Sequence, residues 1–126
     1  MDDMTHIYES ERHFSLWHYT AAHGDRLLLR SPAEKANEPR IDLHIGDVRG
    51  FMLRWLYRGL TIRPATAEER DRVRTEFGID VDGAPHVHVV GADRMQGFVV
   101  GGPLQWHEDQ GGFRDPSHFG PIPGTP

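Results

Sequence analysis

The chain has no cysteine among its 126 residues. Disulfide cross-links, a thiolate nucleophile, and zinc or iron–sulfur centres held by cysteine are therefore excluded. A chain of this length can bury a sizeable hydrophobic core without cross-links or a structural metal. We expect its stability to come from the packing of a single domain.

Basic residues are outnumbered by acidic ones, and lysine is almost absent. The chain carries 14 Lys and Arg against 19 Asp and Glu, and only Lys35 is a lysine. Nucleic-acid binding needs a basic face, so this mild acidity predicts no nucleic-acid partner. The arginine bias is typical of a GC-rich coding sequence and favours a bacterial source. It also means that an anionic partner would meet planar guanidinium groups.

Long apolar runs are missing as well. No stretch approaches the ~20 apolar residues that a membrane-spanning helix needs. The acidic first twelve residues, MDDMTHIYESER, lack the apolar centre of a signal peptide. We therefore predict a cytoplasmic protein without a membrane partner.

Recognisable catalytic motifs are absent too. The sequence has no phosphate-binding glycine loop, no nucleophile elbow and no His-Glu-x-x-His metal motif. Its four serines do not lie in a nucleophile context. These absences favour a non-catalytic role and no cofactor.

The most informative stretch spans residues 40–64, RIDLHIGDVRGFMLRWLYRGLTIRP. Ile41, Leu43 and Ile45 alternate with Asp42 and His44, which predicts a strand with one buried and one solvated face. A central strand is predicted over residues 48–57, with a helix as the alternative. A turn at residues 58–59 and a third strand over residues 60–62 should follow.

The remaining strands are predicted from period-two alternation and turn residues. A hairpin is expected from residues 13–20 and 26–30, and further strands from residues 86–90, 94–100 and 104–106. Thr66 and Glu69 form the pattern of a helix capping box, and Gly78 suits the helix end. The sequence thus predicts an α+β fold, mainly antiparallel β. We expect seven or eight short strands in a curled sheet, small barrel or sandwich, with one helix near residues 66–78.

The composition changes near residue 110. We predict a single globular domain over residues 1–109 and a C-terminal tail over residues 110–126, which holds four Gly and four Pro. Such a composition is typical of an extended or disordered segment. If the domain holds this tail, Phe113 and Phe119 are its expected anchors; a partner chain could equally hold it.

Nine histidines are the most unusual feature of the composition. His86 and His88 are two residues apart, so both side chains should leave one face of a strand. With His44, Asp42 or His18 as a further ligand, they could bind a divalent metal such as zinc, iron or nickel. The order of His86, His88, Asp93 and Gly101 is similar to the first cupin motif. The spacing and the acid differ from that motif, so the likeness carries no function over.

An aromatic and arginine-rich patch is the second candidate site. Trp17 and Tyr19 should share the face opposite Leu16, and Arg26 and Arg30 lie on the return strand of the same hairpin. This combination is typical of interface hot spots. The leading hypothesis is a small non-catalytic module of the bacterial cytosol that binds another protein or itself. The alternative is a metal-binding β domain, possibly a metal-dependent enzyme.

Overall fold

A computed structural model describes residues 7–20, 25–83 and 86–119, which form an eight-stranded antiparallel sheet and a helix. In chain order the elements are β1 (Tyr8–Thr20), β2 (Arg26–Ser31), β3 (Arg40–Ile45), β4 (Gly50–Met52), β5 (Leu56–Pro64), α1 (Ala67–Phe77), β6 (His86–Val90), β7 (Gly97–Gly101) and β8 (Leu104–Asp109). The strand order across the sheet is β4-β7-β6-β5-β1-β2-β3-β8. The predicted α+β, mainly antiparallel class is confirmed.

The sheet curls until its two ends approach each other. The pairs β3–β8 and β4–β7 lie at opposite ends of the strand order, yet β3 leads into β4 and β7 leads into β8. The two connections run side by side, because the Gly46 carbonyl accepts from the Gly102 amide at 2.9 Å and the Val100 carbonyl accepts from the Arg49 amide at 2.7 Å. The ladder itself does not close, so the fold is a curled sheet and not a complete barrel.

The two faces of the sheet carry separate hydrophobic clusters. The larger cluster fills the concave side and takes one face of most strands; among its fully or nearly fully buried members are Phe14, Leu27, Leu29, Leu43, Ile45 and Val99. The smaller cluster lies on the other side of β6 and β7, where Val73 of α1 packs with Val81, Val87, Phe98 and Val100. Burial of these aliphatic and aromatic side chains is the main source of stability in such a fold.

The helix begins and ends where local signals predict. The Thr66 hydroxyl accepts from the Glu69 amide at 3.1 Å, and the Glu69 carboxylate accepts from the Thr66 amide at 2.9 Å. Gly78 ends the helix in the left-handed conformation, at φ 67°. Glu69 also receives two hydrogen bonds from Arg63 of β5, which attach the helix start to the sheet. None of the described residues forms a helix of the length and apolarity needed to cross a membrane.

The first hairpin differs from the prediction because β1 contains irregularities. It is one strand of 13 residues, and its register with β2 shifts between Leu16 and His18. An extra residue in a strand reverses the facing of every residue beyond it. Tyr19 therefore pairs with the core residue Leu27 and contacts Phe51, while Trp17 lies on the outer face. The prediction that Trp17 and Tyr19 share a face is wrong.

The prediction of one strand over residues 48–57 is also wrong. β4 covers only Gly50–Met52, the chain leaves the ladder at residues 53–55, and β5 begins at Leu56. Residues 58 and 59 lie inside β5, not in a turn, opposite a second register shift in β1 between Ser10 and His13. One long strand with an irregular partner replaces the predicted turn and short third strand.

The solvated face predicted for β3 is absent. Every residue of β3 is buried, and the exposed fractions of Asp42 and His44 are 1% and 7%. The alternation was correct, since Ile41, Leu43 and Ile45 enter the core cluster. What the alternation cannot show is that residues further along the chain cover the opposite face.

Candidate functional site

The outer face of β2, β3 and β8 is polar although half of the side chains that define it are buried. We call it the arginine face and define it by eight side chains: Arg26, Arg30, Arg40, Asp42, His44, Gln105, His107 and Asp109. Antiparallel register sets them opposite one another, with Asp42 between Arg30 and His107 and with Arg40 beside Asp109. Side chains on directly paired residues of a sheet are neighbours on one face.

Two of the three arginines form bidentate pairs with carboxylates. Arg30 donates to both oxygens of Asp42 at 2.7 and 3.0 Å, and both side chains are 1% exposed. Arg40 donates to both oxygens of Asp109 at 3.0 and 2.9 Å. Burial raises the pKa of Asp109, but the hydrogen bonds from Arg40 outweigh this and hold that pKa below its usual value. Both carboxylates thus leave part of each guanidinium free to bind something else.

The C-terminal segment, which we define as residues 110–119, takes up those remaining donors. Arg30 Nη1 donates to the Phe113 and Asp115 carbonyls at 2.8 and 3.0 Å. Arg40 also reaches the Asp115 carbonyl, at 2.9 Å, and it binds two further carbonyls, of Gly112 and Pro116. Arg26 donates to the Phe119 carbonyl. Three guanidinium groups therefore hold five main-chain carbonyls of one short segment.

Ring contacts fix the side chains of the same segment. Phe113 meets the edge of Trp17 with ring centroids 4.7 Å apart, and Phe119 stacks on His44 at 4.8 Å with an interplanar angle of 15°. His118 stacks on His107 at 3.7 Å. Phe113 and Phe119 are thus the contacts that the sequence indicated for a tail held on the domain.

The segment is shaped for this surface by a turn and by a close approach. The Asp115 carboxylate accepts from the Gly112 amide at 2.7 Å, and the Asp115 amide donates to the Gly112 carbonyl at 3.1 Å, which closes a turn over residues 112–115. A side chain at Gly111 would put its Cβ 2.5 Å from Cζ of Arg40, so it would have to displace the Arg40 guanidinium. Arg40 therefore determines how closely the backbone approaches the sheet.

His44 is a neutral member of the face. Arg26 Nε can only donate, and it lies 3.1 Å from His44 Nε2, so Nε2 is the unprotonated nitrogen. Nδ1 then carries the proton and donates to Gln105 Oε1 at 3.1 Å. Burial lowers the pKa of His44, and the neighbouring Arg26 charge acts in the same direction. The imidazole is thus a flat, uncharged support for Phe119.

The five residues predicted to bind metal do not converge. His86 and His88 share a face of β6 with the core residue Val90, whereas Asp42 and His44 lie on the outer face of β3. His18 lies in β1, where it pairs with Leu28 of β2. Asp42 is engaged by Arg30, both nitrogens of His44 have partners, and His88 Nε2 donates to the Gly102 carbonyl at 2.8 Å. Within the part of the chain that the structure describes, no group of three or more His, Asp or Glu side chains could hold a metal ion.

The four residues predicted as an interface are divided differently. Trp17 and Arg30 do meet, with the guanidinium carbon 5.3 Å from the indole centroid, and Arg26 lies further along the same face. Tyr19 is on the opposite side of the sheet.

Sequence reasoning missed Arg40, His107 and Asp109. A period-two signal for them exists: Arg40 lies on the same face of its strand as Asp42 and His44, and Asp109 lies on the same face as His107 and Gln105.

The arginine face can bind oxygen acceptors. Arginine stays protonated, the carboxylates are neutralised by ion pairs, and the two nitrogens of His44 are engaged. Comparison with family models, with curated proteins and with solved structures found no match for this chain. Its function must therefore be argued from this geometry.

Proposed function

We propose that this domain is a non-catalytic protein-binding module of the bacterial cytoplasm, and that the arginine face binds an extended chain segment of another protein or of a second copy. The observation that carries the proposal is the binding of five main-chain carbonyls by Arg26, Arg30 and Arg40. Every polypeptide offers such carbonyls, so the C-terminal segment occupies the face as a ligand would.

The way the arginines are held supports this reading. Arg30 and Arg40 are 1% and 3% exposed, and their carboxylates fix the orientation of each guanidinium. Donors that are already oriented lose less conformational entropy when they bind, which raises affinity. Hydrogen bonds from charged donors contribute about 1.5–3 kcal/mol each, more than neutral ones.

The C-terminal segment does not satisfy the whole surface. Trp17 Nε1 and His18 Nε2 are buried, yet neither has a hydrogen-bond partner in the described part of the chain. Trp17 lies directly under Phe113 of the segment. A buried polar atom without a partner costs about 1–3 kcal/mol. A ligand that places a hydrogen-bond partner beside Trp17 Nε1 or His18 Nε2 would remove this cost, which the chain's own segment leaves in place.

The C-terminal segment should therefore act as an internal competitor. A tethered ligand has an effective concentration of about millimolar, so an external peptide must displace it. The apparent association constant for that peptide equals the intrinsic constant multiplied by the fraction of molecules in which the face is uncovered. Weakening the segment in the chain should strengthen binding from solution.

This expectation can be tested with the full chain and a fluorescent peptide of residues 110–119, QGGFRDPSHF, by fluorescence anisotropy. The Phe119→Ala chain loses the stack on His44 and should bind the peptide up to about tenfold more tightly than the wild type, since a partly buried aromatic side chain contributes about 1.5 kcal/mol, the low end of the range for full burial. Adding Arg26→Ala should weaken binding again. The matched control is Arg72→Ala, because Arg72 is an exposed arginine of α1.

The outcome against the proposal is specific. If the Phe119→Ala chain binds neither this peptide nor a scrambled one at millimolar concentration, the arginine face is a structural element only. Equal binding of the scrambled peptide would show that the contact is non-specific.

A further inference from the structure

Arg26 differs from the other two arginines of the face. Arg30 and Arg40 each donate two hydrogen bonds to a carboxylate. Among residues 7–20, 25–83 and 86–119, no carboxylate lies within ion-pair distance of Arg26. The adjacent Asp25 interacts instead with the Tyr19 hydroxyl, on the other side of the sheet. Within the described residues, the guanidinium charge of Arg26 thus has no ion-pair partner at this end of the face.

The partners that Arg26 does have are neutral. Its Nε donates to His44 Nε2, and its Nη2 donates to the carbonyl oxygen of Phe119. The same His44 ring stacks under the Phe119 ring with an interplanar angle of 15°. An aromatic side chain and the carbonyl of the same residue therefore meet a flat aromatic surface and a full positive charge.

From this juxtaposition we infer that the Arg26 end of the face recognises the C-terminal carboxylate of a partner chain whose last residue is aromatic. The inference rests on the proposed function and specifies its ligand. In the chain's own segment the carbonyl of Phe119 belongs to a neutral peptide group. In a chain that ends at this residue, the same carbon carries two oxygens and a negative charge. The planar guanidinium group matches the geometry of a carboxylate, and charge-assisted bonds are about twice as strong as neutral ones.

The geometry limits where the charge can be. Arg26 reaches the main chain of the residue whose ring lies on His44, so the carboxylate must belong to the aromatic residue itself. An acidic side chain one residue further along would lie beyond that position. Capture of a terminal carboxylate is an established mode of peptide recognition, and here a side-chain guanidinium would supply the donors.

The test compares three peptides on the full-length wild type and on the full-length Phe119→Ala chain. They are QGGFRDPSHF with a free carboxylate, the same peptide as the C-terminal amide, and QGGFRDPSHFE as the amide. Because each peptide must displace the chain's own segment, the apparent affinities of all three fall by the same factor. The ratio of two affinities measured on one chain is therefore unaffected. We expect the free acid to bind at least tenfold more tightly than either amide, which corresponds to ~1.4 kcal/mol.

Variants show whether Arg26 causes the preference. Arg26→Gln should remove most of the tenfold ratio, Arg26→Lys should keep part of it, and the control Arg72→Gln should keep it all. Equal binding of the acid and its amide would overturn the inference while leaving the peptide-binding function intact. Equal binding of the acid and the Glu-extended peptide would overturn it too, since a side-chain carboxylate would then suffice. Failure of every peptide to bind would overturn both proposals.

Discussion

The buried pair of Arg30 and Asp42 should dominate the stability of the arginine face. Removing one partner of a buried ion pair leaves an uncompensated charge and costs about 3–5 kcal/mol. With both side chains 1% exposed, we expect Asp42→Asn to cost about 3 kcal/mol. Arg30→Met should cost about 3–5 kcal/mol, because it also loses the bonds to the Phe113 and Asp115 carbonyls.

The double variant separates charge burial from shape. Arg30→Met/Asp42→Leu leaves no buried charge, and apolar replacements of buried ion pairs are often nearly neutral. Its cost should fall below the sum of the single variants by at least ~2 kcal/mol, which is the coupling between the two sites. Urea unfolding followed by tryptophan fluorescence measures all four chains, provided that their denaturant dependence is the same.

The matched control is the exposed pair of Arg72 and Glu76 on α1, whose side chains are 54% and 55% exposed. Exposed helix pairs couple by about 0.3–0.5 kcal/mol. If the coupling between Arg30 and Asp42 is no larger than this, the reasoning from burial is refuted.

Burial lowers the pKa of His44 and of His88, so the unfolded chain takes up protons first as the pH falls below about 6.5, and calorimetry should give a lower Tm at pH 5.5 than at pH 7.5. Hydrogen bonds from Arg63 lower the pKa of Glu69 to about 2; Glu69→Ala should cost about 1–2 kcal/mol in urea unfolding at pH 7, and the loss should shrink as the pH falls from 4.5 towards 2. Gly111→Ala should increase hydrogen exchange at residues 112–119, because the new Cβ would meet Arg40.

A Tm that is unchanged or higher at pH 5.5 would show that the two histidines do not titrate as their burial requires. A cost of Glu69→Ala that stays constant down to pH 2 would mean that the carboxylate charge contributes nothing. Unchanged exchange in Gly111→Ala, relative to the exposed control Gln110→Ala, would show that the Arg40 side chain moves aside freely.

Local signals in the sequence were sufficient for the helix and for most strand positions. Thr66, Glu69 and Gly78 act within one or two turns of the helix, so their effect can be derived without knowing the rest of the fold. The alternation within β6 and within β7 is also found in the structure, where Val87 and Phe98 belong to one cluster and Val90 and Val99 to the other.

The errors came from features that local alternation does not encode. The register shift at Leu16 and His18 depends on how β1 pairs with β2, and it moves Tyr19 to the core side of the sheet. A strand pattern on its own gives no sign of where such a shift occurs.

The candidate site was the least predictable part because it depends on distant residues. The face of Asp42 and His44 was correctly separated from the core face, but its burial depends on residues 113–119. Composition alone favoured a disordered tail there, since Gly and Pro are abundant. Phe113 and Phe119 were the informative exceptions, because a solvated tail has no need of aromatic rings.

The bond from Arg30 to the Phe113 carbonyl has a consequence for the time course of synthesis. The two residues are 83 positions apart. At about 5–20 residues per second, roughly 4–17 s separate their translation. During that interval β2 and β3 can pair, but their outer face remains exposed to solvent. Arg30 and Asp42 are then hydrated ions. During synthesis this pair cannot be fully buried before residue 113 has been added, and a chain halted earlier would keep Arg30 and Asp42 hydrated on the outer face of its strands.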